Sequence, residues 1–428
     1  MKIKPDEQRM LEGKEGLARQ KAMELLVKYG DALGAEEFVD VDNVFILSGL
    51  FSYTDVFEKD IDIDAIASEY FLDSREKLVV DNVKAYTTNH LFTIDLAQGH
   101  ADLVRAPQVL KDLIAATQGY CKRVGISITG TCTPYQCGNT PVFGEHVAWV
   151  ESSAISYANA VIGARTNIEG LESSFSAALT GKTPLWGFHF DENRWGTVLV
   201  DMDSETISLE TVMEYELLGC HVGRQVGTEI PIYPRSPIHP NADMLKGLCA
   251  TGASCGGVEM YHIVGVTPEA HTLEEATGGR KVTRTVSYGA QERRECYERL
   301  NTSRKQDVDV VTIGCPHYSI RQMAQLARLL DGKRVNDNTL LLVYTAKAIE
   351  AVAERSGYND IIKAAGGHIL VDSCPINIYF PTSSVVATDA AKITYYMTGL
   401  RGFEDVWYGS MQDCVNAAIT GKWEGELR

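Results

Sequence analysis

The chain has 428 residues, of which 45% are hydrophobic and 23% are charged, and its formal net charge at pH 7 is −17. This content supplies apolar cores for two to four domains of ~100–200 residues and argues against global disorder. The negative charge argues against nonspecific binding to nucleic acid and to anionic membranes, since both need a basic surface.

The start of the chain and its cysteines indicate a compartment. The first residues, MKIKPDEQRMLEGKEG, are charged and lack the apolar core of a signal peptide. No apolar run approaches the ~20 residues that span a bilayer. We therefore expect a cytoplasmic protein, in which the ten cysteines are reduced thiols or metal ligands rather than disulfides.

The first part of the chain is predicted to alternate helices and short strands. Helical apolar spacing runs through residues 5–34, where Gly30 and Gly34 mark helix ends. The runs VDNVFILSGLF and KLVVDNVKAYTT are strand-like, and PQVLKDLIAATQGYCKR predicts a helix that ends near Gly119 or Gly125. ISITGTC predicts a short strand, and residues 152–162 predict a tightly packed helix.

The middle part is predicted to be more irregular. TPLWGFHF and GTVLVDM are strand-like, and residues 204–218 are predicted to be helical. Four of the thirteen prolines, at 231, 234, 237 and 240, indicate an extended connector or a domain junction. Residues 247–257 are glycine-rich but lack the Lys-Ser/Thr ending of a phosphate loop, and residues 281–300 are charged and expected to be exposed.

The last part has the clearest pattern. Strand-like DVDVVTIGC, TLLLVYTA and HILVDSC alternate with helical SIRQMAQLARLL, KAIEAVAERSG and SMQDCVNAAITG. This alternation predicts a parallel sheet with right-handed crossovers, whose ligands bind beyond the carboxyl ends of the strands. Cys315 and Cys374 stand at two such ends, so we expect both thiols to face one crevice.

Residues 131–170 combine small residues with an unusual density of reactive polar groups. Because buried polar groups cost free energy unless each finds a partner, this composition is typical of an active site rather than a core. Cys132 is the second residue of the stretch, at the end of a strand-like run.

Cys132, Cys315 and Cys374 are the candidate metal ligands, because each follows a strand-like run at a turn. Inert packing is one alternative, since free cysteines are often buried, and a zinc site is another. Three thiolates from separate segments without a paired ligand nearby fit an iron–sulfur cluster better. A cluster held by three cysteines leaves one iron open to polarise a substrate hydroxyl or carboxylate.

Other polar residues indicate an anionic substrate. A guanidinium such as that of Arg165 binds a carboxylate bidentately, although an ion pair with Glu169 is the structural alternative. Ser152 and Ser153 are expected to open a helix whose N–H groups face an anion, or to be a plain N-cap. Lys392 is either a partner of the substrate's charge or a surface residue, and residues 191–194 fit a site or a charged turn equally. The candidate catalytic residues are Glu145, His146, Ser152 and Ser153, and the candidate substrate-binding residues are Asn139, Arg165, Thr166, Asn167 and Lys392.

Several motifs together resemble those of one family. The chain resembles the large subunit of aconitase X, a remote branch of the aconitase superfamily, in TCTPYQCGNTPVFGEHVAW, ESSAISYANAVIGARTN, GFHFDENR, YHIVGVTPEA, IGCPHYSI and DSCP. The resemblance runs from DEQRMLEGKEG to VNAAITGKW and covers nearly the whole chain.

The resemblance implies a fold and a chemistry. The implied fold class is α/β and aconitase-like, with three α/β domains of largely parallel sheets around a central cleft, expected over residues 1–125, 126–300 and 301–428. It also implies a hydro-lyase with an iron–sulfur cluster, of undecided iron count, on Cys132, Cys315 and Cys374. The family's activities are dehydration of cis-3-hydroxy-L-proline, to pyrroline-2-carboxylate, and of mevalonate 5-phosphate.

The resemblance implies a partner as well. The family has a small subunit, or a fused domain, whose Gly/Ser-rich loop carries the serine that removes the proton alpha to the carboxylate. We find no such loop here and expect a complex with a separate small subunit.

Two departures from the family pattern bear on the substrate. Ile168 stands where the family often has a second Arg, and ATDAAK at 387–392 replaces a TNSxK segment. The lost cation favours cis-3-hydroxy-L-proline over mevalonate 5-phosphate. A non-catalytic iron–sulfur sensor and a zinc-binding scaffold are the alternatives from other classes.

Overall fold

The computed structural model describes residues 1–48, 61–96, 99–203, 205–234 and 239–427. Its elements form three consecutive units, called here the first, second and third unit. None of the helices in these ranges is long and apolar enough to cross a membrane.

The first unit holds a small parallel sheet. Strand β2 lies between β3 and β4 and is parallel to both, and β1 pairs with β5 in an antiparallel ribbon. Its elements are α1 (Pro5–Leu11), α2 (Leu17–Leu33), β1 (Phe38–Asp40), β2 (Asn43–Ile46), α3 (Ile63–Leu72), β3 (Tyr86–Asn89), α4 (His100–Leu103), α5 (Gln108–Val124), β4 (Ala148–Trp149), α6 (Ser152–Ser156), α7 (Leu171–Thr180) and β5 (Lys182–Pro184).

The second unit is a parallel sheet of order β8-β7-β6-β9. Its elements are β6 (Val198–Met202), α8 (Val212–Val226), β7 (Pro231–Tyr233), α9 (Ala242–Gly256), β8 (His262–Ile263), α10 (Leu273–Thr277), β9 (Arg284–Tyr288) and α11 (Ala290–Leu300).

The third unit is a larger parallel sheet of order β12-β11-β10-β13-β14. Its elements are β10 (Val310–Tyr318), α12 (Ile320–Leu330), β11 (Leu340–Thr345), α13 (Lys347–Arg355), α14 (Tyr358–Ala364), β12 (Gly367–Leu370), β13 (Val386–Thr388), α15 (Ala391–Gly399), β14 (Val406–Tyr408) and α16 (Met411–Thr420).

The third sheet is buried on both faces, as expected for parallel strands. Alternate residues of β10 divide between two cores. Val311 and Ile313 pack under the third unit's own helices, whereas Val310 packs into the core of the first unit. The first and third units therefore share one hydrophobic core, which fixes the strand ends of the third sheet relative to the first unit.

The predicted α/β class with parallel sheets is confirmed. The helix over PQVLKDLIAATQGYCKR ends at Gly125, which adopts the left-handed conformation, and a helix begins at Ser152 as expected, with a π-helical continuation over Tyr157–Ile162. Two predicted segments lie partly outside the described residues, namely the strand at 41–51 at its end and the proline-rich connector at 235–238.

Four element predictions are wrong over all or most of their length. The strand predicted over KLVVDNVKAYTT forms only over Tyr86–Asn89. ISITGTC makes only a single bridge, Ser127 with Thr88, because the Asn89 side chain accepts the next backbone N–H groups in place of a strand. TPLWGFHF is a strand only over Lys182–Pro184. The helix predicted over 204–218 begins at Val212, because the Thr211 side chain caps it by accepting from the backbone N–H of Glu214 at 3.3 Å.

The glycine-rich segment 247–257 is mostly helix α9, and its glycines serve packing. Gly219 and Gly223 of α8 face Gly252 and Gly256 of α9, a set called here the glycine seam. A Cβ on Gly223 would lie 2.7 Å from the carbonyl oxygen of Gly252, and one on Gly256 would lie 1.9 Å from that of Gly223. The two helix backbones therefore touch, which only glycine permits.

Replacing Gly223 by Ala is expected to lower the free energy of unfolding by ~1–3 kcal/mol, because backbone atoms cannot yield to the added methyl. Gly119→Ala is the matched control, since Gly119 is also helical and a Cβ there would meet nothing within 4 Å. The free energy of unfolding of Gly119→Ala should rise by up to ~1 kcal/mol, because alanine has a higher helix propensity than glycine. Chemical denaturation measures both, and equal stability of the two variants would contradict the tight seam.

Candidate functional site

The three candidate thiols meet where the first unit borders the strand ends of the third sheet. The thiols of Cys315 and Cys374 are direct neighbours, and Cys132 lies within electrostatic reach of both. The Cys315 thiol lowers the pKa of Cys374, whereas burial raises the pKa of Cys132 to about 12. Among the described residues, no three His, Cys, Asp or Glu side chains are spaced to hold a single metal ion.

A bulge in β10 presents Cys315. The register of β10 with β11 shifts between Ile313 and Tyr318, and Gly314 lies in the bulge with φ +100°. A Cβ on Gly314 would lie 2.2 Å from the carbonyl oxygen of Tyr344, so the close approach requires glycine. Bulges commonly redirect a side chain beside an active site, and this one belongs to the segment that carries Cys315.

His317 connects the three cysteine segments. Its Nε2 lies 2.8 Å from the carbonyl oxygen of Ser373, and its Nδ1 lies 2.9 Å from the hydroxyl oxygen of Thr131. Because a carbonyl only accepts, Nε2 carries the proton and Nδ1 accepts from the hydroxyl of Thr131. The His317 backbone N–H donates to Cys132 Sγ at 3.3 Å. Burial lowers the pKa of His317 to about 4, so the ring is neutral at pH 7.

We expect His317→Leu to lower stability and the iron retained by the cluster predicted on the three cysteines, because it leaves the Ser373 carbonyl and the Thr131 hydroxyl without the ring. The loss of stability should be ~1–3 kcal/mol, the usual cost of orphaned buried polar groups. Iron analysis after anaerobic reconstitution and denaturant unfolding of the apoprotein measure the two effects. The exposed His271 supplies the control His271→Leu. If His317→Leu retained the wild-type amount of iron, the contacts of His317 with the three cysteine segments would not be needed to hold the cluster.

A buried ion pair lies beside the thiols. Lys392, at the start of α15, contacts Glu151, the residue that caps α6, with Nζ and Oε1 2.5 Å apart and each side chain 8% exposed. Lys392 Nζ is also 3.4 Å from the hydroxyl oxygen of Ser152. Lys392 is within electrostatic reach of Cys315 and Cys374. The alternative that Lys392 is a surface residue is therefore wrong.

Glu151 is held in a strained conformation. Its φ is +71°, which is costly for a residue with a Cβ. Its second carboxylate oxygen accepts from the hydroxyl of Ser153 at 2.6 Å and from the backbone N–H of Ala154 at 2.8 Å. The N-cap of α6 is thus Glu151, not one of the two serines. Such strain is typical of a functional site, because the surrounding contacts must enforce it.

The charges of the pair are fixed by its surroundings. Burial alone would raise the pKa of Glu151, but the charge of Lys392 and the neighbouring His90 hold it at about 2. Burial lowers the pKa of His90 to about 4, so its ring is neutral at pH 7. Burial opposes the charge on Lys392, but Glu151 raises its pKa. The pair is therefore ionised throughout the physiological range.

The depressed pKa of Glu151 predicts a pH dependence of stability. A carboxyl with a folded pKa near 2 and an ordinary value of 4.5 contributes stability above pH 4.5, and that contribution is lost as the pH falls toward 2. The apoprotein should be more stable than Glu151→Gln at pH 7, by up to about 3 kcal/mol. The difference should shrink below pH 4.5. Denaturant unfolding of both proteins at pH 7 and at a pH below 4.5 measures this difference in stability. A difference that did not change with pH would contradict the depressed pKa of Glu151.

Glu145, His146 and Arg165 form a separate group. The Arg165 guanidinium donates to the carbonyl oxygen of His189 at 3.0 Å and pairs with Asp191, so the alternative pairing with Glu169 is wrong. His146 and His189 place their Nδ1 atoms 2.8 Å apart, and burial lowers the pKa of both rings. Glu145 accepts from the backbone N–H of Val142 at 2.8 Å.

The remaining predicted side chains are mostly engaged with backbone. The Asn167 amide donates to the carbonyl oxygen of Trp186 at 3.0 Å and accepts from the N–H of Phe188 at 2.9 Å. The Thr166 hydroxyl donates to the Asn167 carbonyl and accepts from the Trp149 N–H. In contrast, the side-chain oxygen of buried Asn139 has no hydrogen-bond partner among the described residues.

The structure therefore brings together the three cysteines, Ser152, Ser153 and Lys392, and it assembles the Arg165 group through other contacts. Sequence reasoning missed Glu151, His90 and His317. The signal for His317 was its place in the GCPH segment, two residues after a candidate ligand. The signal for Glu151 was its place directly before the candidate Ser152, and no local signal marked His90.

Comparisons with known proteins agree with this architecture. The family models for the aconitase X first, second and third domains match residues 1–192, 196–298 and 308–420. The crystal structure of Thermococcus kodakaraensis aconitase X in its holo-form superimposes with a TM-score of 0.81 at 31% identity, covering 98% of this chain and all of that one.

Named relatives include two kinds of dehydratase. The phosphomevalonate dehydratase large subunit of Methanocaldococcus jannaschii is 36% identical, over 97% of this chain and 99% of that protein. The cis-3-hydroxy-L-proline dehydratase of Pseudomonas aeruginosa is 29% identical, over 97% of this chain and 70% of that protein. Dehydratases are hydro-lyases, and the present chain is an enzyme of that class. It belongs to the aconitase X family.

Proposed function

We propose that this chain is the large subunit of an enzyme that removes water from a small 3-hydroxycarboxylate, across the bond between the carbons alpha and beta to the carboxylate. The observation that carries the proposal is the group of three interacting thiols beside the buried Lys392–Glu151 pair. The substrates named for the two kinds of relative both carry a hydroxyl beta to a carboxylate, so one elimination serves both.

Cys132, Cys315 and Cys374 are proposed to hold an iron–sulfur cluster. The donor set fits, because it consists of thiols from three segments, and the N–H of His317 donates to one of the sulfurs. Hydrogen bonds to sulfur are a usual means by which proteins tune such clusters. When bound, a cluster with an open iron supplies a Lewis acid toward the leaving hydroxyl.

Lys392 and Ser152 are proposed to bind the substrate carboxylate. An ammonium group has three donors, and Glu151 and Ser152 account for two of them. Glu151 keeps Lys392 charged and in place. With a pKa of about 2, Glu151 is itself a weak base at neutral pH. Removal of the alpha proton is therefore assigned to another group, a serine of a separate small subunit.

Arg165 is the second proposed anion contact. It pairs with Asp191, whose side chain is 72% exposed, and a solvated pair of this kind is displaced at much lower cost than the buried Lys392–Glu151 pair. Glu145 and His146 are proposed to orient Arg165. Asn139, whose side-chain oxygen has no hydrogen-bond partner in the described part of the chain, is proposed to accept from a substrate donor. Asn167 and Thr166 are proposed to hold the neighbouring backbone, and Ser153 is proposed to hold the Glu151 carboxylate.

The first candidate substrate is cis-3-hydroxy-L-proline. Ile168, three residues after Arg165, is 53% exposed and places an apolar side chain where a phosphate-bearing substrate would gain from a cation. The second candidate is mevalonate 5-phosphate. It is favoured by sequence identity, which is 36% to the phosphomevalonate dehydratase large subunit from M. jannaschii and 29% to the Pseudomonas enzyme.

The test is an assay of the two-subunit complex on both compounds. The chain is co-expressed with a small subunit from an adjacent reading frame and purified without oxygen, and its iron and sulfide are measured before the assay. Turnover of either compound supports the proposed elimination and identifies the substrate. A fully iron-loaded complex inactive on both would overturn the proposed function, and a colourless protein with stoichiometric zinc would overturn the proposed cluster.

A further inference from the structure

A second group of thiols lies away from the active-site cysteines. Cys220 of α8, Cys255 of α9 and Cys296 of α11 converge, with the sulfurs of Cys220 and Cys255 only 3.1 Å apart. Cys296 packs in the same buried cluster as Cys220. None of the three is among the proposed cluster ligands.

The glycine seam explains why Cys220 and Cys255 meet. Cys220 directly follows Gly219, and Cys255 directly precedes Gly256. A Cβ on Gly219 would lie 2.8 Å from the carbonyl oxygen of Leu248 in α9, so the helix backbones touch on both sides of the cysteine pair. The short distance between the sulfurs is therefore imposed by two rigid helices.

We propose that Cys220 and Cys255 form a reversible disulfide and that this pair is a redox modification site of the second unit. Bond formation requires the sulfurs to close from 3.1 Å to ~2.05 Å, a movement that rotation about the side-chain bonds supplies. The proposal is independent of the substrate and of the cluster.

The oxidant is a small disulfide such as oxidised glutathione. The half-buried Cys255 loses its proton and attacks one sulfur of the reagent, which releases one reagent thiol and leaves a mixed disulfide. The buried Cys220 then loses its proton and attacks the sulfur of Cys255, which releases the second reagent thiol. The two protein thiols are oxidised and the reagent disulfide is reduced to two thiols, so atoms and electrons balance.

The surroundings of the pair set its rate. The shared hydrogen bond and burial raise the pKa of Cys255 well above its usual range. The thiolate is the attacking species, so exchange should be slow at pH 7 and about tenfold faster for each unit of higher pH.

The pair also contacts the helix that carries Lys392. Cys220 packs in one cluster with Ala391 and Tyr408, and Glu216, one turn earlier in α8, accepts from the Ala391 backbone N–H at 3.1 Å. A disulfide between α8 and α9 would therefore form next to the α8 residues that contact the start of α15.

The test is oxidation of the purified full chain in oxidised glutathione at pH 7 and pH 8.5, followed by digestion with trypsin and mass spectrometry. Cleavage after Lys and Arg places Cys220 in 195–224, Cys255 with Cys249 in 247–280, and Cys296 in 295–299. We expect 195–224 linked to 247–280 with the loss of two hydrogens, reversal by dithiothreitol, and faster linkage at pH 8.5.

Two variants identify the sulfurs. The link should persist in Cys249→Ser and disappear in Cys255→Ser, both judged folded by circular dichroism. Absence of the link in the folded wild-type chain, its survival in Cys255→Ser, or a link to 295–299 in its place would overturn the proposal. Mapping by peptide keeps the result separate from oxidation of Cys132, Cys315 and Cys374.

Discussion

Lys392→Met is expected to abolish dehydration and to lower the free energy of unfolding by about 3–5 kcal/mol, the usual cost of leaving a buried charge without its partner. The Glu151 side chain is only 8% exposed, accepts from Lys392 at 2.5 Å and is already strained at φ +71°. Methionine fills the space of the lysine stem but provides no charge. The loss of activity follows from the loss of the proposed carboxylate contact, and the loss of stability follows from Glu151.

A double variant separates the two effects. Adding Glu151→Gln to Lys392→Met removes the orphaned charge, so most of the lost stability should return while activity stays absent. Denaturant unfolding of the apoproteins and turnover of the reconstituted complexes measure the two quantities. Recovered activity in the double variant would show that Lys392 only neutralises Glu151. Unchanged stability in the single variant would show that the pair does not stabilise the fold.

Cys374→Ser should remove the iron and lower activity by at least ~10³-fold, corresponding to the several kcal/mol that a metal Lewis acid supplies. Serine keeps the size and a hydrogen-bonding group beside Cys315, so the apoprotein should unfold within ~1 kcal/mol of wild type. Iron and sulfide analysis, the visible absorption spectrum and turnover give three independent measurements.

Cys137→Ser is the matched control for this experiment. Cys137 is also half-buried and stands five residues after Cys132, but it is outside the proposed ligand set. It should retain iron and activity. If Cys137→Ser lost the iron and Cys374→Ser kept it, the assignment of the ligands would be wrong.

The third sheet was predictable because its local signals agree. Apolar runs such as LLLVYT are long enough for buried strands, and α12 is strongly amphipathic and capped by Ser319. The strand predicted over residues 126–132 does not form. The side chain of Asn89, 40 residues away, supplies the hydrogen bonds that a neighbouring strand would supply. The composition and periodicity of a segment do not indicate that a distant side chain will replace its strand hydrogen bonds.

The same limit applies to the candidate site. Cys315 and Cys374 could be singled out because strand ends of one sheet converge, a rule that sequence alone can use. Lys392 meets Glu151 across 241 residues, and His317 meets Thr131 across 186. Those contacts depend on how the first and third units pack. The sequence could therefore draw attention to a residue, but it could not predict which residue it contacts.

The hydrophobic core shared by the first and third units has a consequence for maturation. Cys132 belongs to the first unit, Cys315 and Cys374 belong to the third, and Val310 and Val386 of the third sheet are packed in the first unit's core. Neither unit contains the whole set of proposed ligands, so a nascent chain brings them together only after Cys374 has been synthesised and the two units have docked. Insertion of the proposed cluster would therefore follow that docking, and retention of iron would report whether the docking is complete.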